Sequence, residues 1–473
     1  VAEKAAASSL KKTGRSSSAL DVAEVAEKAG LESVPYAQAA ELLGCGNGNG
    51  NGCNAGAGAG GGDLCQPHGG VASGQAHEND AARVVVVCEP GLQKSMGALH
   101  PAAALYERFV NIDDSITEHA NFREVLRRKG VRVLTVREIL KYGLEDNLRC
   151  RIDLEDLAMN MLTYKREEGE EDGGMGDTHG IEQHVSDGYK REVLEHMSPD
   201  QLIDVVLTKP TVTIKPSFRD TGVSASYEFE PLANLIFTRD QQITTARGVV
   251  MASLRSPQRQ HEIKIMKFCF QKLGIKVLGQ VERPGYLEGG DFFPAGKDLC
   301  FVGVGLRSNE LAVKQLMAND YLGTRRVAIV KDPFDKSQDR MHLDCVFSIL
   351  SDDCVLMLED MVGPDSPTRR LVDEYARDEA TGKYALAREG VEFSQYLGEN
   401  GFKIIPVTSE EQLQYACNVV NLGDSCILSC HAPTARKICR SLHFSGTMEY
   451  VEYSAITAMY GALHCSTQVV KRG

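Results

Sequence analysis

The stretch Val249-Val-Met-Ala-Ser-Leu254-Arg-Ser256-Pro257 decides the fold. Its first six residues read as a strand, and Ser256-Pro257 then opens a helix, because proline suits the first helical turn. Residues 234–238 read as a strand before it and 276–280 as another after it, so the segment runs strand, strand, helix, strand. The cycle recurs downstream: 300–304 is strand-like, Ser308 caps a helix running to about Asn319, and 327–330 is a strand. Residues 342–350 and 354–358 pair as a hairpin around Ser351-Asp-Asp, with a helix expected around 369–375. Farther on come a strand at 403–406, a helical 410–417, and strands at 419–422 and 425–429. Upstream, Arg83-Val-Val-Val-Val-Cys is a buried strand, 114–129 a helix with Ile116, Phe122, Val125 and Leu126 on one side, and 131–136 a further strand. A mostly helical insertion is expected over about 137–210, broken by the acidic, glycine-rich loop that starts at Arg166. The fold class is therefore α/β, built from a repeated unit. Periodicity establishes repetition and not whether the units close on one another.

The chain has 473 residues and is 42% hydrophobic, enough for a large core, and length alone allows two or three domains. A net charge of −13 argues against a nucleic-acid or anionic-membrane surface, and ordinary solubility also accounts for it. No apolar run reaches the length that crosses a bilayer. The 14 cysteines are dispersed along a long chain, which favours a reducing compartment. Cys426, Cys430 and His431 lack a second ligand pair, so no metal is expected there. Residues 1–20 are rich in Ala, Ser, Lys and Arg, with Glu3 alone acidic. Two readings fit: an organellar (mitochondrial or plastid) transit peptide, or the disordered start of a truncated translation. The expected location is intracellular, cytoplasmic or organellar. Residues 1–80 are expected to be disordered, with a Gly-Asn and Gly-Ala linker over 44–80 that contains or adjoins Cys45, Cys53 and Cys65. The folded domain, 81–473, then starts near Arg83.

Four motifs carry chemistry: Phe237-Thr-Arg-Asp240, Glu288-Gly-Gly-Asp291, Met341-His342-Leu-Asp344 and Gly461-Ala-Leu-His464-Cys465. Together they suit a guanidinium group. A thiolate can attack its electron-poor carbon, a histidine can move protons, and carboxylates can grip the planar N–H fork. Taken singly, Cys465 could be a small buried hydrophobe, His342 a core residue and the acidic positions ordinary turns. Their co-occurrence gives the pattern its specificity. Cys465 is the candidate nucleophile, His342 the proton carrier, Asp240 and Asp344 the guanidinium clamp, and Glu288 the acid that orients His342.

With Pro231-x-x-Asn234-x-x-Phe237-Thr-Arg-Asp240, Gly303-Val-Gly-Leu-Arg307 and the motifs above in order and spacing, the chain from about Arg83 onward resembles the arginine deiminases of the guanidino-group-modifying superfamily. The resemblance implies a five-bladed α/β propeller of ββαβ-type units around a substrate channel, with a helical insertion after the first repeat. It implies hydrolysis of L-arginine to L-citrulline and ammonia through a covalent Cys465 intermediate, with no metal or organic cofactor. It also implies that Arg259 and Arg307 hold the α-carboxylate, with Asn234 and Phe237 lining the substrate, Phe237 by a cation–π contact. Tyr460 stands where bacterial members usually carry an arginine, and glycine, His464 and Cys465 together also resemble the amidinotransferases of the superfamily. Two alternatives stay open: transfer of the amidino group to an amine acceptor, and an arginine-binding module without turnover. The expected partner is a small-molecule substrate, with no nucleic acid and no membrane, and a homo-oligomer is left open.

Overall fold

The valine run of β1 (Ala82–Val87) is buried along nearly its whole length, as a strand covered on both faces should be. In the computed structural model it pairs in parallel with β2 (Arg132–Thr135) across the helix Ile112–Arg128. The Asn111 side chain accepts from the amides of Asp113 and Asp114, and acidic residues in the first turn with basic ones in the last complement the helix dipole. The helix buries Phe122, Val125 and Leu126, but Ile116 faces solvent, off the stripe that those three define. The structure describes residues 72–167, 182–217 and 223–473. Residues 1–20, read as a transit peptide or a disordered start, the glycine-rich stretch with its three cysteines and most of the acidic loop lie outside them. Among the described residues, no helix is long and apolar enough to cross a membrane.

The packed chain begins before the expected boundary. Residues 74–80, read from sequence as the end of a linker, are bonded into the fold: Gly74 N donates to Val470 O at 2.9 Å and Glu78 N to Pro294 O at 3.0 Å. The insertion is also not purely helical. Besides the helices Val136–Lys141, Leu148–Met159, Asp187–Glu195 and Pro199–Thr208, it carries β3 (Thr163–Arg166), β4 (Pro210–Pro216) and β5 (Val223–Phe229), joined in the order β3-β4-β5. β3 and β5 are largely exposed, so no buried alternation marks them in the sequence.

Beyond the insertion one unit repeats. β6 (Gln242–Thr245), β7 (Gly248–Met251) and β8 (Val277–Gln280) form a sheet whose first pair is antiparallel and whose second is parallel, across the helix Gln260–Lys272. β9 (Phe292–Pro294), β10 (Leu299–Val304) and β11 (Arg326–Lys331) repeat it across the helix Glu310–Ala318. In the next unit β12 (Phe347–Ile349) and β13 (Cys354–Leu358) are antiparallel. The chain then makes the hairpin β14 (Leu371–Arg377) and β15 (Tyr384–Glu392), which extends the β9–β11 sheet through β11, before β16 (Lys403–Val407) pairs in parallel with β13. β17 (Val420–Asn421), β18 (Cys426–Ser429) and β19 (Thr447–Tyr450) form the fourth such sheet, across the helix Ala432–Arg440. β20 (Gln468–Arg472) lies antiparallel to β1, so β20-β1-β2 is a fifth sheet of the same pattern.

Four local expectations are corrected. Residues 234–238 contain a 3-10 turn, Ala233–Ile236, and the unit's first strand comes later, as β6; the apolar run packs into the core instead of a ladder. The helix expected at 369–375 is β14, where Val372 and Glu374 are buried and Leu371 is exposed, a period-two pattern imposed by pairing with β11. The helix after β10 is capped by Asn309, whose side chain accepts from Ala312 N, while the Ser308 hydroxyl turns toward Asp291. His342 to Cys345 form a turn ahead of β12, not part of the strand. Between the β9–β11 and β12–β16 sheets, Phe347 meets Phe293 edge-to-face at 5.3 Å and Phe301 at 5.6 Å. Such pairs each contribute about 0.5–1.5 kcal/mol beyond their buried area, which stiffens the wall behind the polar turns.

Candidate active site

The segments leading into the first strands of the five sheets carry the polar residues that meet. Asp240 precedes β6, Glu288 and Asp291 precede β9, His342 and Asp344 precede β12, Asn418 precedes β17, and Cys465 precedes β20. All seven are buried. The chain enters each sheet through a turn, where backbone direction is free to aim a side chain along the strand ends.

His342 is the hub. Its Nε2 lies 2.8 Å from Glu288 Oε2, and its Nδ1 lies 4.0 Å from both Asp240 Oδ1 and Asp344 Oδ1. Glu288 is fixed in turn, its Oε1 accepting from Arg255 N at 3.0 Å and its own amide donating to Ser308 Oγ at 3.0 Å. Ser308 donates to Asp291 Oδ2 at 2.6 Å, and Asp291 Oδ1 accepts from Leu343 N at 2.8 Å, so one chain of bonds ties the Glu288 turn to the His342 turn. Cys465 is 3% exposed. Its Sγ lies 3.5 Å from Asp344 Oδ2 and accepts from Asn418 Nδ2 at 3.1 Å. Asn418 Oδ1 accepts from both His464 N and Cys465 N, and Asp344 Oδ2 lies 2.8 Å from His464 Nδ1. His464 stacks on Phe293 at 5.2 Å. Two buried atoms at the centre, Asp240 Oδ1 and His342 Nδ1, have no hydrogen-bond partner within the protein.

Electrostatics divide the roles. Burial alone would push His342 down, but the Asp240 charge and the Glu288 hydrogen bond outweigh it and raise the imidazole to about 10. Glu288 is held down at about 2 despite its burial, by His342 and two nearby guanidinium groups. The Cys465 thiol moves the other way: burial, then the Asp344 and Asp240 charges, push it well above its ordinary value. Burial opposes ionisation of Asp344, yet its bond to His464 lowers it below the usual carboxylate range. His464 is lowered, chiefly by burial and then by Arg239, so a neutral ring donates its Nδ1 proton to Asp344.

The structure brings the five expected catalytic positions into one cluster and distributes the four expected binding residues differently. The Arg259 guanidinium is already committed: Nε donates to Glu262 at 3.0 and 3.2 Å, Nη1 lies 2.8 Å from Asp240 Oδ2, and Nη2 donates to Asn234 O at 3.4 Å. It serves as the countercharge of Asp240 and does not offer a free fork to a carboxylate. Arg307 donates through Nη2 to Gln338 at 2.6 Å and lies 4.0 Å from Glu288, with a buried Nε that has no partner. Asn234 Nδ2 is bonded to Ala104 O at 2.9 Å. Phe237 is buried against Gly461, where an added methyl would come within 2.3 Å of its ring. Met459 is buried in the core, while Tyr460 is partly exposed with a φ of 64°.

Asn418 and His464 were given no role by the sequence reading. Asn418 sits in Ala-Cys-Asn-Val-Val, which matches no motif, but it occupies the same place ahead of its sheet as Asp240 does ahead of β6. Alignment of the repeats on their strands would have pointed to it.

A family model described as arginine deiminase matches residues 103–472, and with it the mixed α/β chain falls among the guanidino-group-modifying enzymes. More particularly, the chain belongs to the arginine deiminase family. It is 24% identical to an arginine deiminase of Halobacterium salinarum, over 84% of this chain and 96% of that one. It is 24% identical to one of Rhodococcus erythropolis, over 61% and 70% of the two chains. Among solved structures it is similar to the DDAH of Pseudomonas aeruginosa complexed with citrulline, at 14% identity and a TM-score of 0.46, covering 82% of this chain and 98% of that one.

Proposed function

We propose that the protein hydrolyses L-arginine to L-citrulline and ammonia through attack of Cys465 on the guanidinium carbon. The observation that carries this reading is the single buried cluster in which a thiol, an imidazole and the carboxylates of Asp240 and Asp344 face one another, with Asp240 Oδ1 and His342 Nδ1 unpartnered. A guanidinium donates bidentately to carboxylates, and two of them on either side of it hold the reacting carbon near the sulfur. Its positive charge offsets the two carboxylates that disfavour the thiolate, so substrate binding itself promotes loss of the Cys465 proton, which passes to solvent because His342 is already protonated. The S–C bond forms, giving a tetrahedral adduct. The C–N bond then breaks as protonated His342 delivers its proton to the departing ammonia. The neutral imidazole next takes a proton from water, whose oxygen attacks the amidino carbon; the C–S bond breaks, and citrulline leaves with the thiol restored. Glu288 keeps His342 in the acid form before the first transfer. Arg307, the cation at the edge of this cluster, takes the substrate carboxylate.

The same proposal reads the five sheets as blades closed by the β1–β20 pairing. Residues 74–80 hydrogen-bond to Thr245, Pro294, Val470, Asn421 and the turn residue Asp352, one from each sheet. Seven residues span at most about 25 Å, which brings one end of all five sheets around a common axis.

The deciding assay incubates purified protein with L-arginine, with and without glycine, and follows citrulline, ammonia and ornithine. Equal citrulline and ammonia support hydrolysis. Ornithine with a guanidino acid would replace it by amidino transfer, and binding without product would leave only a binding module.

Two expectations attach to the His342 turn. In Glu288→Gln the imidazolium loses its charged partner and burial dominates, so the alkaline limb of the kcat–pH profile moves to lower pH by roughly one to three units. An unmoved limb would remove Glu288 from the proton path. In Gly290→Ala the new methyl lies 2.7 Å from His342 Nδ1, so the ring must shift. The citrulline assay should show kcat reduced on the order of a hundredfold, since small misplacements at a reacting centre cost that much. Wild-type kcat would mean that the ring position is not critical.

A further inference from the structure

We propose that Glu78 is a positioning residue for the nucleophile, acting through Arg239 from the docked segment 74–80; the proposal rests on the reading of Cys465 as that nucleophile. Glu78 is almost fully buried, and one of its oxygens, Oε2, accepts from Arg472 Nη2 at 2.6 Å. The other, Oε1, has no hydrogen-bond partner and faces Arg239 Nη1 at 3.9 Å. Arg239 reaches the nucleophile turn twice: its backbone amide donates to Cys465 O at 3.1 Å and its Nε donates to His464 O at 3.3 Å. The carboxylate therefore sits behind a guanidinium that grips the two residues on which the thiol and the Asp344 contact depend.

The surroundings show why this acid is held there. Arg472 and Arg239 flank Glu78, and despite burial their charges hold its carboxyl below the ordinary range. Without the Glu78 charge two buried guanidinium groups lose the carboxylate that lies between them, a costly arrangement that movement of the Arg239 side chain would relieve. Its movement would carry the carbonyls of His464 and Cys465 with it. Segment 74–80 is fastened independently of this contact: Gln75 N donates to Thr245 O at 3.0 Å, and Asn79 Oδ1 accepts from Ser425 N at 2.7 Å. Losing the Glu78 charge thus leaves the segment docked while loosening the nucleophile turn. A purely structural ion pair would act only on stability.

The test uses the full chain, with Glu78→Gln beside Gln75→Ala. Gln75 Oε1 accepts from Arg472 Nε at 3.1 Å, so its loss weakens the same arginine without touching Arg239. For Glu78→Gln, kcat for citrulline formation is expected to fall by about tenfold or more with KM little changed, because the defect lies at the reacting sulfur. The rate of Cys465 alkylation by iodoacetamide, read by mass spectrometry, should change with it. Gln75→Ala should lower Tm and keep kcat within about twofold of wild type. Wild-type kcat and alkylation in Glu78→Gln overturn the proposal, as do equal kcat losses in the two variants. If Glu78→Gln does not fold, Arg239→Lys tests the link from the other side. Lysine keeps the charge and loses the fork, so a similar kcat loss is expected, and wild-type kcat would overturn it. Absence of citrulline from the wild-type enzyme would instead overturn the proposed reaction, while the alkylation comparison would still decide the role of Glu78.

Discussion

Cys465→Ser is expected to abolish citrulline formation while L-arginine still binds. The Cys465 sulfur lies 3.5 Å from Asp344 Oδ2, and in the proposed reaction the substrate's cation lowers the cost of its ionisation. A serine hydroxyl is far harder to ionise, and the same Asp344 and Asp240 charges oppose the alkoxide more strongly than the thiolate. The loss should reach roughly four to six orders of magnitude, the scale seen when a covalent nucleophile is removed. Binding should survive, since the clamp and the remaining cation do not involve sulfur. Calorimetric titration of the variant with L-arginine separates the two effects. Residual turnover within about a hundredfold of wild type would overturn the assignment.

Asp240→Asn and Asp344→Asn are expected to lose about a thousandfold or more in kcat, against a small loss for Arg307→Lys that falls mainly on KM. Each aspartate ties down one oxygen, Asp240 to Arg259 and Asp344 to His464, and directs the other toward His342. An amide in either place removes a countercharge where the guanidinium reacts. It also leaves a buried partner, the Arg259 guanidinium or the His464 ring, facing a neutral amide in place of a carboxylate. Arg307 contacts Gln338 and lies 4.0 Å from Glu288 Oε1, and it touches neither aspartate, so its replacement is expected to weaken binding more than the chemical step. Comparable losses in all three variants, measured by steady-state kinetics, would mean that the carboxylates do not grip the reacting group.

Much of the site was legible because its chemistry is local in the chain. Glu288 and Asp291, or His342 and Asp344, sit within four residues of each other and advertise a turn. Strands β7, β10 and β11 were visible for a related reason: they are buried along most of their length, which concentrates apolar residues into short runs. Where that cover is missing, the reading failed. β14 buries Val372 and the charged Glu374 between the exposed or half-buried Leu371, Asp373 and Tyr375, and β5 is exposed, so neither stands out from a helix or a loop. Glu78 was hidden differently. It follows a glycine-rich stretch whose composition describes a linker, and only the pairing of distant segments turns it into a buried acid beside Arg239 and Arg472. Arg259 shows a further limit: a motif can place an arginine beside the substrate without revealing which acids already occupy it.

The placement of a polar group ahead of the first strand in each of the five sheets has an evolutionary consequence. If the sheets descend from one duplicated ancestor, one address is present in five copies and each copy then specialised: one as a lone carboxylate, one as an acid pair, one as a proton carrier, one as an amide brace, one as a sulfur. Such a scaffold can explore new reactions by changing one copy while the other four keep their inherited geometry, so a change of chemistry needs a substitution at one address and no redesign of the framework.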